Sequence, residues 1–232
     1  MRSGRLDAGA PSGIQKTAAF FDMDGTILAA NSGWLLARRL WDHGEINTLT
    51  LARSLGWLVR YKFALVQMED LTDALSSHIR GLRESDMRVG TEQWYHDEIS
   101  AHVIPQTVDA IRGHQAAGEQ AVMLTAAGPY LAWAVARDLG MDDVISTTLE
   151  VDAQGLFTGR LDRPLCYGAG KVELAERWAD AHGVDLDASA FYTDSYTDLP
   201  MLERVGRPAV INPDPRLARW ARGRGVPTRQ YA

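Results

Sequence analysis

The stretch Thr17-Ala-Ala-Phe-Phe21-Asp22-Met-Asp24-Gly25-Thr26 joins a short apolar run to two carboxylates and a glycine turn. An apolar run of this length, cut off by a polar residue, fits a strand buried on both faces of a parallel sheet. The same pattern recurs three times. Gln120-Ala-Val-Met-Leu124 ends at Thr125, Ala190-Phe-Tyr192 with Thr193 ends at Asp194, and Pro208-Ala-Val-Ile211 ends at Asn212. Helical patterns lie between these runs, at 105–117, 129–139 and 171–182. The first two open on proline, and all three stop at a glycine (Gly118, Gly140, Gly183), which is the expected asymmetry of helix ends. Alternating strands and helices predict an α/β class: a Rossmann-like parallel sheet with helices on both faces, in three α/β/α layers.

One connection is too long for that scheme. Leu28 and Ala121 are separated by 92 residues, whereas a strand–helix–strand unit takes about 30. The 105–117 helix can make the crossover, so residues 32–100 stand out as an insertion. Its patterns are helical: 34–41 before Gly44, then 49–66, 71–79 and 87–99. We expect a helical cap domain over the end of the sheet at 32–100, a core made of 17–31 and 101–232, and a flexible leader at 1–16. Residues 144–166, with Gly155 and Gly159, have the pattern of a β-hairpin beside the main sheet.

Composition narrows the function. A chain of 232 residues can bury a core without disulfides or a structural metal. Cys166 is the single cysteine, so no intrachain disulfide forms. Thirty acidic residues against 24 basic ones give a net charge of −6, which argues against a nucleic-acid partner. No segment reaches the roughly 18–20 uninterrupted apolar residues of a membrane span; 49–66 is broken by Arg53, Arg60 and Lys62. No apolar signal core follows Arg2 and Arg5. The expectation is a cytoplasmic protein with neither a nucleic-acid nor a membrane partner.

Ligands of a parallel sheet sit beyond the carboxyl ends of its strands. Asp22, Thr125 and Asp194 each stand at such an end. Mg2+ takes hard oxygen ligands, commonly one or two carboxylates with phosphate and water, and Asp22 and Asp194 could supply those two. Asp198 follows Asp194 by four residues, so one turn of chain can bring both carboxylates to one side. It could also cap a helix beginning Leu199-Pro200, and the two uses are compatible. The Thr125 hydroxyl and the freed N–H groups of Ala126 and its neighbours suit a phosphate oxygen, beside the positive end of a helix starting near Pro129. Lys171 is one of only three lysines, with Lys16 and Lys62, in an arginine-rich chain. A compact point charge there suits a phosphate, although a surface lysine would leave the same trace. A nucleotide P-loop around Gly170-Lys171 fails, because it needs glycine at Leu165 and Ser or Thr at Val172. A lone Asp-x-Asp also occurs in metal-dependent glycosyltransferases, and a turn with capping aspartates would look the same.

Taken together, Asp22-x-Asp24-Gly-Thr26, Thr125, Lys171 and Asp194-x-x-x-Asp198 resemble the four motifs of the haloacid dehalogenase-like (HAD) superfamily, over about residues 17–215. The insertion between the first two motifs resembles the branch shared with phosphoserine phosphatases. The resemblance implies a Mg2+-dependent phosphatase acting on a small-molecule phosphomonoester. It implies that Asp22 is the nucleophile that forms an aspartyl-phosphate, that Asp24 is the general acid and base, and that Lys171 is catalytic. Phosphate would be held by Thr125, Ala126 and Lys171. Mg2+ would be held by Asp22, Asp194 and the Asp24 carbonyl, while Asp198 would orient a metal-bound water or Lys171 from behind. A phosphotransferase would use the same residues with another acceptor. A non-catalytic phosphate-binding regulator would be expected to have lost a motif residue, and none is lost. A glycosyltransferase gives no reason for Lys171 and Asp198.

In the phosphoserine phosphatases of this branch, a glutamate nine residues after the nucleophile contacts the substrate's ammonium group. Here that position is Asn31, which carries no charge. Glu69 and Asp73 are the other acidic candidates, and Arg80 and Arg83 are the nearest for the serine carboxylate. Asn31 is therefore the candidate specificity residue, and a preferred substrate other than phosphoserine is expected.

Overall fold

The computed structural model describes residues 16–62 and 79–231. Strands β1 (Ala18–Phe21), β2 (Gln120–Leu124), β3 (Asp143–Ile145), β6 (Ala190–Thr193), β7 (Arg207–Ile211) and β8 (Thr228–Arg229) form one sheet, ordered β3-β2-β1-β6-β7-β8. Every neighbouring pair is parallel. A separate antiparallel hairpin joins β4 (Leu149–Val151) to β5 (Phe157–Leu161).

The position of β1 in the interior of the sheet explains its unbroken apolar run. Ala19 and Phe21 face one layer, with Ile111 of α4 (Pro105–Ala116) and Leu131 and Val135 of α5 (Pro129–Leu139). Ala18 and Phe20 face the other, with Ala175 of α6 (Ala169–His182), Met201 of α7 (Leu199–Arg204) and Leu217 of α8 (Pro215–Arg224). Strand residues alternate between faces, so a strand covered on both sides must be apolar at every position. The three α/β/α layers are those read from the sequence.

The insertion contains α1 (Ser32–Asp42), α2 (Thr48–Lys62) and α3 (Glu84–Asp97), followed by a short 3-10 turn at Ile99–His102. All but the last residue of the expected leader at 1–16, the end of the 49–66 pattern and all but the last residue of the 71–79 pattern lie outside the described residues. The two limbs of the insertion are laced together where they meet the sheet: Ala29 N–H donates to the His102 carbonyl (2.8 Å) and Ile104 N–H to the Ile27 carbonyl (2.8 Å). The returning limb is also docked on the core. Trp94 and Tyr95 of α3 are buried with the α4–α5 layer, and the Tyr95 hydroxyl donates to Asp138 Oδ2 (2.6 Å). Among the described residues no helix is long and apolar enough to cross a membrane.

The hairpin reading of 144–166 needs correction. Val144 and Ile145 belong to β3, an edge strand of the main sheet in register with Met123 and Leu124, because their apolar side chains extend that sheet's core. The hairpin starts at Leu149 and turns at Asp152–Gly155, where Gly155 N–H donates to the Asp152 carbonyl. Its second strand is stitched to the approach of α3: Gly81 N–H donates to the Phe157 carbonyl and Phe157 N–H to the Leu82 carbonyl. Strands β3 and β8, at three and two residues, are too short for run length to reveal.

Phe20 is fully buried and meets the Trp178 ring edge-on, with centroids 5.6 Å apart. Phe20→Ala should cost about 3–5 kcal/mol, as expected for an aromatic ring removed from a packed core. Urea unfolding should show a lower midpoint at an unchanged slope, and an unshifted midpoint would contradict the packing described.

Candidate active site

Strands β1 and β6 lie side by side and parallel, so their carboxyl ends release Asp22 and Asp194 at the same edge. Asp22 N–H donates to the Tyr192 carbonyl (2.9 Å), which carries the sheet pairing to the last position before the loop. Beyond it the chain turns tightly on the Met23 carbonyl, which accepts from Thr26, Ile27 and Leu28 N–H (3.3, 2.9 and 2.9 Å). Gly25 makes this turn at φ +76°, and a Cβ there would sit 2.4 Å from Asp194 Cγ. Position 25 must therefore lack a side chain on two counts, backbone conformation and the carboxylate seated on it.

Lys171 reaches this edge from the first turn of α6. Its side chain is 2% exposed, and Nζ donates to Asp22 Oδ1 and to Asp198 Oδ2, both at 2.8 Å. The Thr193 hydroxyl also donates to Asp198 Oδ2 (2.8 Å). Gly170 lets the helix approach: a Cβ there would be 2.0 Å from the Leu165 carbonyl oxygen. Asp198 stands at the N-cap position of α7, but its side chain makes no capping hydrogen bond. That half of the sequence reading is corrected, because the carboxylate is committed to Lys171 and Thr193 instead.

The charges are coupled through burial. Burial alone would lower the Lys171 pKa, but Asp198 and Asp22 face it and hold the ammonium charged, with its pKa raised. For Asp22, burial outweighs the attraction of Lys171, and repulsion from Asp198 and Asp24 adds to it. Its carboxyl lies well above the usual carboxylate range. Burial also raises Asp24, to about 6, against the opposing pull of Ser32 and Lys171. Cys166, behind this group, donates its thiol to the Ile145 carbonyl (3.5 Å) and is pushed up to about 12 by burial.

Asp24 is held by the start of α1. Its Oδ1 accepts from Ser32 N–H (2.9 Å), and its Oδ2 accepts from the Ser32 hydroxyl (2.9 Å) and the Asn31 amide (3.1 Å). Asn31 Oδ1 meanwhile accepts from Trp34 N–H (3.0 Å) and caps the helix. Thr125 is buried at the end of β2, with its N–H on the Ile145 carbonyl and its hydroxyl oxygen accepting from Ala127 N–H (3.0 Å). Ala126 is half-buried in the turn that leads to Pro129 and α5.

Three residues that the sequence did not single out shape the site: Thr193, Ser32 and Asp214. The Asp214 carboxylate caps α8 through Arg216 and Leu217 N–H and also accepts from Tyr196 N–H (2.6 Å). Its own N–H donates to the Asp194 carbonyl (2.8 Å), so it ties down both sides of the Asp194 loop. An aspartate just before Pro215 is a helix-start signal and could have been found. Ser32 and Thr193 carry no local mark.

Asp22 and Asp194 bring two carboxylates to one edge, Asp194 seated against Gly25, and the Asp24 carbonyl would be a third oxygen. Among the described residues no cluster of three or more His, Cys, Asp or Glu side chains is gathered for a metal. Two carboxylates and a carbonyl still fit Mg2+, which keeps water and substrate oxygens for its other positions.

The raised Asp24 has a sign that can be measured. The folded chain holds this proton up to about pH 6, whereas the ordinary value is 3.8. The associated stability is complete below the ordinary value and is lost as pH rises through about 6. With divalent cations chelated, unfolding scans between pH 4 and 7 should show stability falling over this window. A rise across it would contradict the buried, proton-holding Asp24.

Residues 19–203 match the family model for haloacid dehalogenase-like hydrolases. The chain is 32% identical over 219 residues to the inhibition of morphological differentiation protein of Streptomyces azureus, covering 92% of this chain and 78% of that one. It is 33% identical over 221 residues to phosphoserine phosphatase SerB1 of Mycobacterium tuberculosis, covering 92% and 70%. A solved structure of a protein of unknown function from Bordetella pertussis Tohama I superposes with a TM-score of 0.82 at 29% identity, covering 92% of this chain and 98% of its own. The family match spans most of the sequence and takes in Asp22, Thr125, Lys171, Asp194 and Asp198: the chain belongs to the haloacid dehalogenase-like hydrolase family.

Proposed function

We propose that this hydrolase is a Mg2+-dependent phosphatase that cleaves a small phosphomonoester through an aspartyl-phosphate on Asp22. The observation that carries this reading is the buried Lys171 ammonium, bonded to both Asp22 and Asp198 where β1 and β6 release their loops.

In the first step an Asp22 carboxylate oxygen attacks phosphorus in line, the ester P–O bond breaks, and Asp24 gives its proton to the departing oxygen. In the second, water passes a proton to Asp24 as its oxygen bonds to phosphorus, and the bond to Asp22 breaks to release phosphate. Dividing one displacement into two is the gain of covalent catalysis. A carboxyl with a pKa of about 6 suits a group that must both give and take a proton near neutral pH. Lys171, the Thr125 hydroxyl and the Ala126 N–H stabilise charge on the phosphoryl oxygens. Asp198, itself held by Thr193, fixes the ammonium. Asp22, Asp194 and the Asp24 carbonyl would hold Mg2+, which when bound offsets the repulsion between carboxylate and phosphate. The inserted helices serve as the cap, with α1 opening directly beside Asp24.

The substrate is a phosphomonoester other than phosphoserine. Asn31 supports this, since it is neutral and both ends of its amide are engaged, by Trp34 N–H and by Asp24. Glu69 and Asp73 lie outside the described residues, and Arg80 and Arg83 are exposed.

Two results are expected. Asp22→Asn keeps the shape and removes the nucleophilic charge. With Mg2+ and p-nitrophenyl phosphate it should lower kcat by about a thousandfold or more, near 4 kcal/mol at 1.36 kcal/mol per tenfold, while circular dichroism is unchanged. Retention of a tenth of wild-type kcat would rule out a covalent role. In a panel of phosphorylated metabolites, phosphoserine should not give the highest kcat/KM; if it ranks first, the substrate reading is wrong.

A further inference from the structure

We infer that Asn31 and Ser32 are positioning residues for proton transfer: their side chains fill Oδ2 of Asp24 and leave Oδ1 as the oxygen that gives and takes the proton. The inference deepens the phosphatase reading and rests on Asp24 being its acid and base.

Each carboxylate oxygen offers about two lone-pair positions. Oδ2 receives two donors, the Asn31 amide (3.1 Å) and the Ser32 hydroxyl (2.9 Å), and is saturated. Oδ1 receives one, Ser32 N–H (2.9 Å), and keeps one position open. A proton on Oδ2 would displace one of its two donors, whereas a proton on Oδ1 disturbs neither. As the ester P–O bond breaks and the bond from Asp22 to phosphorus forms, the proton passes from Oδ1 to the departing oxygen, which leaves as the alcohol. When water attacks, its proton returns to the same oxygen while its hydroxyl bonds to phosphorus and Asp22 is released.

All three donors come from one place. Asn31 is the N-cap of α1 and Ser32 its first residue, and Asn31 is itself fixed by Trp34 N–H (3.0 Å). The carboxylate plane is therefore set by a helix end. Without the two side-chain donors, one N–H bond would remain and the carboxylate could rotate about its Cβ–Cγ bond. A displacement of about 1 Å of a reacting group can cost on the order of a hundredfold in rate. This use of Asn31 also differs from a contact with the substrate, because its amide nitrogen is turned to Asp24 and its amide oxygen to Trp34 N–H.

The experiment compares two leaving groups. Nitrophenolate departs with little help from an acid, whereas the alkoxide of glycerol 2-phosphate needs its proton. The variants are Ser32→Ala, and Asn31→Ser, which keeps a capping oxygen for α1. Each should slow the first step, release of the alcohol measured in a single turnover with enzyme in excess, by about tenfold or more on glycerol 2-phosphate, while release of nitrophenolate in the same measurement changes by about threefold or less. Ser32→Thr, which restores a hydroxyl, should recover the lost turnover. A general loosening of the site would depress both substrates alike, and that result overturns the inference. So does a change confined to KM, or none at all. Asp24→Asn run alongside separates the two levels. If it spares glycerol 2-phosphate, the acid role of Asp24 falls and takes the inference with it. If it alone is crippled, the acid role stands and only the positioning by Asn31 and Ser32 is refuted.

Discussion

One ammonium shared by two buried carboxylates organises this protein. Removing each ion from water costs several kcal/mol, and mutual attraction offsets that cost only when the geometry is tight. Lys171 meets the condition with two 2.8 Å contacts at 2% exposure. Removing one partner from such a group typically costs about 3–5 kcal/mol, so the end of β1, the start of α6 and the loop after β6 are fixed relative to one another. The group is also unbalanced. Two carboxyl groups face one ammonium, and Asp194 stands beside them, which makes the edge hospitable to a cation.

The surrounding backbone reads as a set of supports for that arrangement. Parallel pairing of β1 with β6 carries Asp22 and Asp194 to one edge. The missing side chain of Gly25 gives Asp194 its seat, and that of Gly170 lets α6 come close enough to deliver Lys171. Asp214 holds the Asp194 loop from the outside, with one bond into it and one from it. Asn31 and Ser32 do the corresponding work for Asp24 from the insertion, so the inserted helices and the sheet meet at a functional carboxylate.

Much of this was legible in the sequence, and the boundary of legibility is physical. Runs such as 18–21 and 120–124 are apolar because both faces are covered, and proline and glycine mark helix ends through local conformation alone. Asp22, Thr125 and Asp194 drew notice because each stands where a strand stops, and Lys171 because lysine is scarce in this chain. The very short β3 and β8 were missed, and the hairpin was begun too early, because Val144 and Ile145 are apolar for the sake of β2, more than 20 residues away in the chain. Asp198 was given a possible local partner, its own helix, when its partner was Lys171, 27 residues upstream. Asn31 was noticed by its distance from Asp22, yet what it touches is Asp24, across a turn whose shape no spacing rule gives.

The burial of Cys166 has a practical corollary. Its thiol is fully buried, hydrogen-bonded to Ile145 and neutral at any ordinary pH, so reagents that attack thiolates meet nothing in the closed molecule. Modification has to wait for the strands and α6 to part. Because no other cysteine competes, the speed at which this single sulfur is labelled becomes a clock for local opening beneath the charged cluster. The chain thus carries its own reporter group, set into the fold at the place where breathing matters most.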